Sequence, residues 1–375
     1  MTTLVVCIKR KPGMSSEQFS AHWRDTHGPM LAVCTDFTRH LVSYVQHHMV
    51  AQDSPVARMF GIPGDYDGVA ILTFRRAEDI AAAFAEPRYL ADVRPDEATF
   101  VDLDNSLSFV TEPHTVVAPP ADIFAISGKT AVVTGGAKGV GAMISSAYAR
   151  AGARVLVVAR GSEDNERFVA GLGGNARLLA HDLSSIDDVH AAAEAVRGET
   201  DRLHILVNNA GTFTAAPIGE LDNAQWDREV AVNLRAPFFL VQALLPQLKA
   251  AAAPGDPARV INIGSIAALW AKSSSAYAYS ATKGGVHQLT RALASDLTSQ
   301  GVTVNAIAPG FFPSDMTAGF FEAVPGLEQQ MIAGIPAARL GTPEDIGGTA
   351  IFLASRAGAY ISGAILPVEG GLWSA

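Results

Sequence analysis

The chain has 375 residues, 49% hydrophobic and 17% charged, which is more than one ordinary domain needs and too apolar for a disordered polymer. Its formal net charge of -9 argues against a nucleic-acid partner, which needs a basic footprint. Two cysteines, Cys7 and Cys34, cannot form a disulfide framework, the N-terminus lacks signal-peptide order, and no uncharged apolar run spans a bilayer; a cytoplasmic protein without a membrane partner is expected.

Residues 4–8 read as a short apolar strand. Pro12-Gly13 turns the chain, and Ser15 with Gln18 offers a capping box for a helix running through Trp23 towards Val33. Strands are expected over 41–45 and 68–74, a helix from Ala77 to about Tyr89, and a closing strand over 107–110. The order β-α-β-β-α-β is the split βαβ, ferredoxin-like α+β arrangement. One sheet with helices on one face leaves the other face open, and a second copy would cover it, so residues 1–112 form a candidate dimerisation domain.

Residues 113–121 carry no periodicity, and Pro119-Pro120 favours an extended connector. From there to Ala375 the pattern alternates strand and helix. Apolar, Val/Ile-rich runs at 130–134, 154–158, 203–207, 259–263, 302–307 and 364–368 predict a Rossmann-type, doubly wound parallel sheet over 122–375.

Directly after the first of these strands, Thr134-Gly135-Gly136-Ala137-Lys138-Gly139-Val140-Gly141 opens a helix. Glycines let the backbone turn sharply and approach a pyrophosphate, which the helix N-terminus then stabilises. A bare glycine-rich turn is only a tight connection; a strand before it and a helix after it make it a dinucleotide signal. The tip of the next strand is Ala159-Arg160, with no acid until Glu163. Arg160 and Lys138 can surround a 2′-phosphate with charge-assisted hydrogen bonds, so NADP(H) is the expected cofactor.

Tyr279 and Lys283 lie four apart in a helical segment and share one face. An ammonium beside a phenol is expected to lower the tyrosine pKa from about 10 towards neutrality. Such a phenol can give a proton to a carbonyl oxygen as hydride arrives at the carbon. Ser265 ends a strand fourteen positions before Tyr279, where a hydroxyl can hold the same oxygen or simply cap a turn.

Thr134-Gly135-x-x-x-Gly139-x-Gly141, Asp182-Leu183, Asn208-Asn209-Ala210-Gly211, Asn233, Ser265, Tyr279-x-x-x-Lys283 and Pro309-Gly310 follow one another over 124–375. In this order and spacing the segment resembles the short-chain dehydrogenase/reductase family. Residues 264–267, 277–283 and 308–316 are similar to NADPH-dependent 3-ketoacyl reductases, most of all the subgroup associated with rhamnolipid biosynthesis. The resemblance implies that Asp182 and Leu183 meet the adenine edge, while Asn208, Asn209, Ala210 and Gly211 support the cofactor and the central strand. It implies that Pro309 and Gly310 bind the cofactor, with Ser314 near the carboxamide. Asn233 would orient a water in a proton relay towards Lys283, Lys283 would also hold the nicotinamide ribose, and Ser265 and Tyr279 would bind the reacting oxygen. The departures are Pro313 and Glu369-Gly370-Gly371 in place of the commoner Asp-Gly-Gly. The resemblance also implies a tetramer; with a dimerising first domain, dimer and tetramer both stay open.

Met316, Phe320, Phe321, Val324, Leu327 and Met331 suggest an apolar substrate lid over 315–334, although an ordinary packing helix has the same spacing. Residues 3–112, with Lys9 to Ser15 and His22-Trp23-Arg24-Asp25-Thr26-His27-Gly28-Pro29, resemble EthD-like members of the dimeric α/β-barrel superfamily. His22, Asp25, His27, His47 and His48 are candidate acid–base groups, weighed against plain packing; His47 and His48 point to opposite faces of a strand. No metal-ligand spacing stands out, so no metal is expected. The leading reading is reduction of a small-molecule ketone, a 3-ketoacyl or cyclic, polyketide-like substrate, with an accessory first domain. The alternatives are NADP-dependent oxidation of a secondary alcohol, and a non-catalytic NADPH-binding scaffold.

Overall fold

The computed structural model describes residues 1–50, 66–114, 122–269, 275–314 and 326–373. Most of the expected connector and the lid residues Met316, Phe320, Phe321 and Val324 lie outside these residues. The chain divides into two compact units, Met1–Pro119 and Pro120–Ala375.

In the first unit, β1 (Thr2–Ile8), β2 (Leu41–His48), β3 (Gly68–Phe74) and β4 (Leu107–Thr111) form an antiparallel sheet in the order β2-β3-β1-β4. This is the ferredoxin-like order expected for a split βαβ unit. The capping box forms as read: Ser15 Oγ accepts the Gln18 N–H and Gln18 Oε1 accepts the Ser15 N–H. The helix Ser16–His22 then widens into a π turn, Trp23–His27, before Gly28–Val33. One face of the sheet is covered: Leu4, Leu72 and Phe74 pack with Phe19, Trp23, Phe37 and Phe100. On the other face, Val45, Ile71, Val5 and Phe109 stand in one cross-strand row.

The helix expected to end near Tyr89 is instead two. Glu78–Phe84 stops, and a π turn over Tyr89–Val93 leads into Arg94–Phe100. Pro95 does not end this second helix, because it sits in the first turn, where a missing N–H leaves no hydrogen bond unmade.

In the second unit, β5 (Thr130–Thr134), β6 (Arg154–Ala159), β7 (Ala176–Ala180), β8 (Ile205–Asn208), β9 (Ala258–Ile263), β10 (Val302–Pro309) and β11 (Ile365–Val368) make one parallel sheet. The order is β11-β10-β9-β8-β5-β6-β7. The edge strand β7, Ala-Arg-Leu-Leu-Ala without a β-branched residue, was not expected from the sequence. The central strands β5, β8, β9 and β10 are buried along their whole length, with apolar clusters on both faces. Strand order reverses between β5 and β8, which opens a crevice at the carboxyl ends of the strands.

Candidate active site

A cavity of about 440 Å³ occupies that crevice. Its wall includes Gly135, Lys138, Gly139 and Val140 after β5, Arg160 after β6, and Asp182 and Leu183 after β7. Asn209, Ala210 and Gly211 line it after β8, and Ser265, Tyr279, Lys283, Pro309, Gly310 and Ser314 on the β9–β10 side. Gly141 and Asn233 are not on the wall and support it from behind.

The glycine-rich turn has its shape for steric reasons. Gly135 has φ +61, a left-handed conformation that glycine adopts without strain. A Cβ on Gly141 would lie 2.2 Å from the Gly135 carbonyl oxygen and 2.3 Å from Asn209 Nδ2. Thr134 ties this turn to the next crossover: its Oγ1 accepts the N–H groups of Asn209 and Ala210, both at 2.9 Å. Asn209 Nδ2 returns to the carbonyls of Thr134 and Gly135. The result is an open backbone cradle at the N-terminus of helix Gly139–Arg150, which suits an anion. Arg160 lies at the edge of this cradle and makes no ion pair with any described residue, so a guanidinium is available for a phosphate. These features fit a phosphorylated dinucleotide.

The chemistry-bearing side chains come from two elements. Helix Tyr277–Leu297 carries Tyr279 and Lys283 one turn apart, as the spacing predicts. Lys283 is 4% exposed and donates from Nζ to the carbonyl of Ile263, the last residue of β9, at 2.7 Å. Its Nζ lies 5.6 Å from the centre of the Tyr279 ring. Ser265 follows β9, where it caps a short turn by accepting the Ala267 N–H at 3.1 Å and also lines the cavity with Tyr279.

The expected lowering of the tyrosine pKa is not found. Burial pushes the Tyr279 phenol up, a hydrogen bond with Ser265 works against this, and the charge of Glu229 adds to it. Lys283 is the group that moves down, to about 8, because burial disfavours its ammonium more than Glu229 favours it. Tyr279 is therefore a protonated donor.

Asn233 lies in a π turn, Val230–Arg235, and is 1% exposed. Its Oδ1 accepts the Thr212 N–H at 2.8 Å, and its Nδ2 donates to the Thr212 carbonyl and to Thr282 Oγ1. The amide thus pins the chain after Gly211 to the helix of Tyr279. Further support comes from Asn208, whose Nδ2 donates to Asn262 Oδ1 at 2.9 Å, and from Asn262, which donates on to Thr290. Gly310 approaches Glu369 so closely that a Cβ would stand 2.7 Å from the Glu369 Cβ, and Ser314 Cβ is 3.1 Å from a Cβ placed on Gly139.

Sequence reasoning missed Glu229. It ends helix Asn223–Glu229, one turn before Asn233, and is fully buried. Thr214 flanks its carboxyl, yet neither oxygen closes a hydrogen bond of ordinary geometry with a described residue. Burial raises its pKa, with Thr214 and then Lys283 opposing. His181 and Arg228 also line the cavity and carried no signal in the sequence beyond being polar. In the first unit, His22 and His27 meet on one carboxylate, Asp96, at 2.9 Å each. Asp25 is instead exposed and paired with Arg24, and His48 contacts Gln46 at 3.1 Å. Among the described residues there is no cluster of ligands for a metal ion and no helix long and apolar enough to cross a membrane.

Residues 135–373 match the family model described as enoyl-(acyl carrier protein) reductase, and residues 11–104 match the EthD domain. The rhamnolipids biosynthesis 3-oxoacyl-[acyl-carrier-protein] reductase of Pseudomonas aeruginosa is 41% identical over 250 residues, covering 66% of this chain and 97% of that protein. D-threitol dehydrogenase of Mycolicibacterium smegmatis is 38% identical over 251 residues, 66% of this chain and 94% of its own. Among solved structures, the RhlG/NADP active-site complex of Pseudomonas aeruginosa is 40% identical with a TM-score of 0.64, over 67% of this chain and 98% of that one. A mutant of the Serratia marcescens short-chain dehydrogenase/reductase gives 30% and 0.61, over 67% and 100%. With its Tyr279–Lys283 helix against the dinucleotide crevice, the chain belongs to the short-chain dehydrogenase/reductase family of oxidoreductases and carries an EthD domain ahead of that fold.

Proposed function

We propose that this chain reduces a ketone to a secondary alcohol with NADPH. The observation that carries the reading is one cavity with Lys138 and Arg160 on its β5–β6 side and Ser265, Tyr279 and Lys283 on its β9 side. NADPH, when bound there, supplies the hydride. Lys138 and Arg160 hold its 2′-phosphate, the cradle at Gly135–Gly141 takes the pyrophosphate, and Asp182 and Leu183 border the adenine. Asn209, Ala210, Gly211, Pro309, Gly310 and Ser314 complete its walls, and Lys283 reaches the nicotinamide ribose.

The remaining work is proton delivery. Ser265 accepts one hydrogen bond from Ala267, and its hydroxyl, which meets Tyr279, turns to the substrate oxygen when a ketone enters. Tyr279, protonated through burial, gives its proton to that oxygen as the carbon is reduced. The Lys283 ammonium, anchored on Ile263, stabilises the phenolate left behind. Asn233 positions this helix through Thr212 and Thr282 rather than by binding substrate.

A 3-ketoacyl thioester is the first substrate class to test, because the relative of 41% identity is named as a 3-oxoacyl reductase. Oxidation of a secondary alcohol with NADP is the second reading, and relatives named as polyol dehydrogenases favour it. The free thiols of Cys7 and Cys34 suit a reducing cytoplasm. The open apolar face of the first sheet suits pairing with a second copy into a dimer, or a tetramer if the reductase units also associate.

The test is NADPH oxidation by the full chain with a 3-ketoacyl thioester beside a cyclic ketone of similar size. Fast turnover of the thioester supports acyl-chain chemistry, and turnover of the ring ketone alone moves the substrate to the polyketide-like class. Turnover of neither, with NADP-linked oxidation of a polyol, favours the reverse reaction.

A further inference from the structure

The first unit holds a second cavity, of about 280 Å³, between its sheet and its helices. Most of its lining is apolar, including Leu4, Leu72 and Phe100, but it also carries His27 and Tyr44, side chains suited to act as a base and an acid. His27, 4% exposed, gives its Nδ1 to Asp96 Oδ2 at 2.9 Å and lines the cavity. The other Asp96 oxygen takes His22 Nε2, so the carboxylate is held from two sides. With Nδ1–H directed at the carboxylate, the lone pair is on Nε2, which has no hydrogen-bond partner among the described residues. Tyr44 Oη, also on the wall, accepts Trp23 Nε1–H at 2.9 Å and Gln46 Nε2–H at 3.1 Å. Both acceptor positions are thereby filled, and its own proton is left to donate.

We propose that this cavity is a second active site that binds an uncharged, ring-sized carbonyl compound and moves a proton at the carbon next to the carbonyl. His27 Nε2 removes that proton; the C–H electron pair becomes the C=C bond of an enol, and the C=O π pair moves onto oxygen. The Tyr44 hydroxyl donates to that oxygen. Return of the proton from His27 to the same carbon or to a conjugated one exchanges or isomerises the compound, with no oxidant, reductant or metal required. His27 and Tyr44 are the catalytic residues, and Asp96 is a positioning residue.

The ligand class follows from the wall. Its charged members, Arg94 and Glu97, are paired with each other at 2.6 Å, and Glu97 also accepts the Tyr89 hydroxyl, so no unpaired charge greets a charged ligand. Burial pushes the Tyr44 phenol up, which keeps it a donor. The Phe100 ring packs 5.1 Å from the His27 ring and fixes its plane.

The experiment follows hydrogen–deuterium exchange at the α-carbons of 2-tetralone in D₂O by proton NMR, without NADPH. It uses the full chain carrying Tyr279→Phe, so that the reductase site cannot supply the base. Exchange at least tenfold above buffer is expected, with a further His27→Gln returning it to the buffer rate. Asp96→Asn should lower kcat for exchange at least tenfold with KM for the ketone unchanged, a split that mere loss of packing would not give. Tyr44→Phe should also lower kcat, and it decides the matter together with Asp96→Asn if His27→Gln does not fold. Exchange at the buffer rate in the Tyr279→Phe chain overturns the proposal, as does exchange indifferent to His27→Gln in a folded protein. Neither result bears on ketone reduction, which is read separately from NADPH oxidation.

Discussion

Lys283 donates from Nζ to the carbonyl of Ile263 at 2.7 Å, so its ammonium is fixed to the end of β9 while the Tyr279 ring centre stands 5.6 Å away. This places a buried cation beside the phenol and assigns the more accessible titration to the lysine. Burial lowers Lys283 to about 8 and raises Tyr279, so as pH rises the lysine loses its proton first. Reduction uses the protonated forms of both. The kcat/KM for NADPH, which reports the chain without cofactor, is expected to be level below about pH 8 and to fall as pH rises through that value. A profile rising through pH 8 in the reducing direction would contradict the assignment.

Tyr279→Phe removes the proton donor and leaves the ring in place. Ketone reduction should fall by about 10²–10⁴-fold, the usual contribution of a positioned general acid. Binding of NADPH, followed by its fluorescence, should be unchanged within a factor of about three, since the cradle at Gly135 does not depend on the hydroxyl. Retained turnover would transfer the acid role elsewhere.

Glu229→Gln tests the buried carboxylate. Its charge favours the Lys283 ammonium and disfavours the Tyr279 phenolate. Removing it should move the descending limb of the pH–rate profile to lower pH, because Lys283 then gives up its proton more readily. A limb that stays in place would mean that Glu229 is neutral at working pH, which its burial also favours.

How legible this was in the sequence depended on the range of the contact. Tyr279 and Lys283 were readable because four residues of helix put them together whatever surrounds them. The glycine loop was readable because positive φ and close backbone approach restrict the residue type at Gly135 and Gly141. Asp96 was not, because it meets His22 and His27 across 74 and 69 positions on a helix that Pro87 and Pro95 made look like the end of one. Glu229 carried no signal, because it stands in the polar stretch Asn-Ala-Gln-Trp-Asp-Arg-Glu and only tertiary packing buries it. The direction of the Tyr279 shift was misread because a nearby ammonium was weighed without the burial that both groups share.

Arg160→Asp should reverse the dinucleotide preference. The guanidinium at the end of β6 has no described ion-pair partner to lose, so the substitution acts chiefly on the bound phosphate. A charge-assisted hydrogen bond contributes about 1.5–3 kcal/mol, and an aspartate adds repulsion and a partner for a ribose hydroxyl. The kcat/KM with NADPH should drop at least tenfold relative to NADH, measured on one ketone. An unchanged ratio would leave Lys138 as the sole phosphate-binding cation.

The row Val45–Ile71–Val5–Phe109 runs across all four strands of the first sheet, with Val45 45% and Phe109 49% exposed. Water on such a row is unfavourable by about 25 cal/mol per Å² of apolar surface, and a second identical face removes it without a new partner. The two outer positions are exposed enough that lysine there leaves the fold of one copy undisturbed. Val45→Lys with Phe109→Lys should therefore halve the mass of the assembly in light scattering, while thermal unfolding of the chain stays cooperative. A mass unchanged by both lysines would mean that the reductase unit alone sets the oligomer, and that this face meets something other than itself.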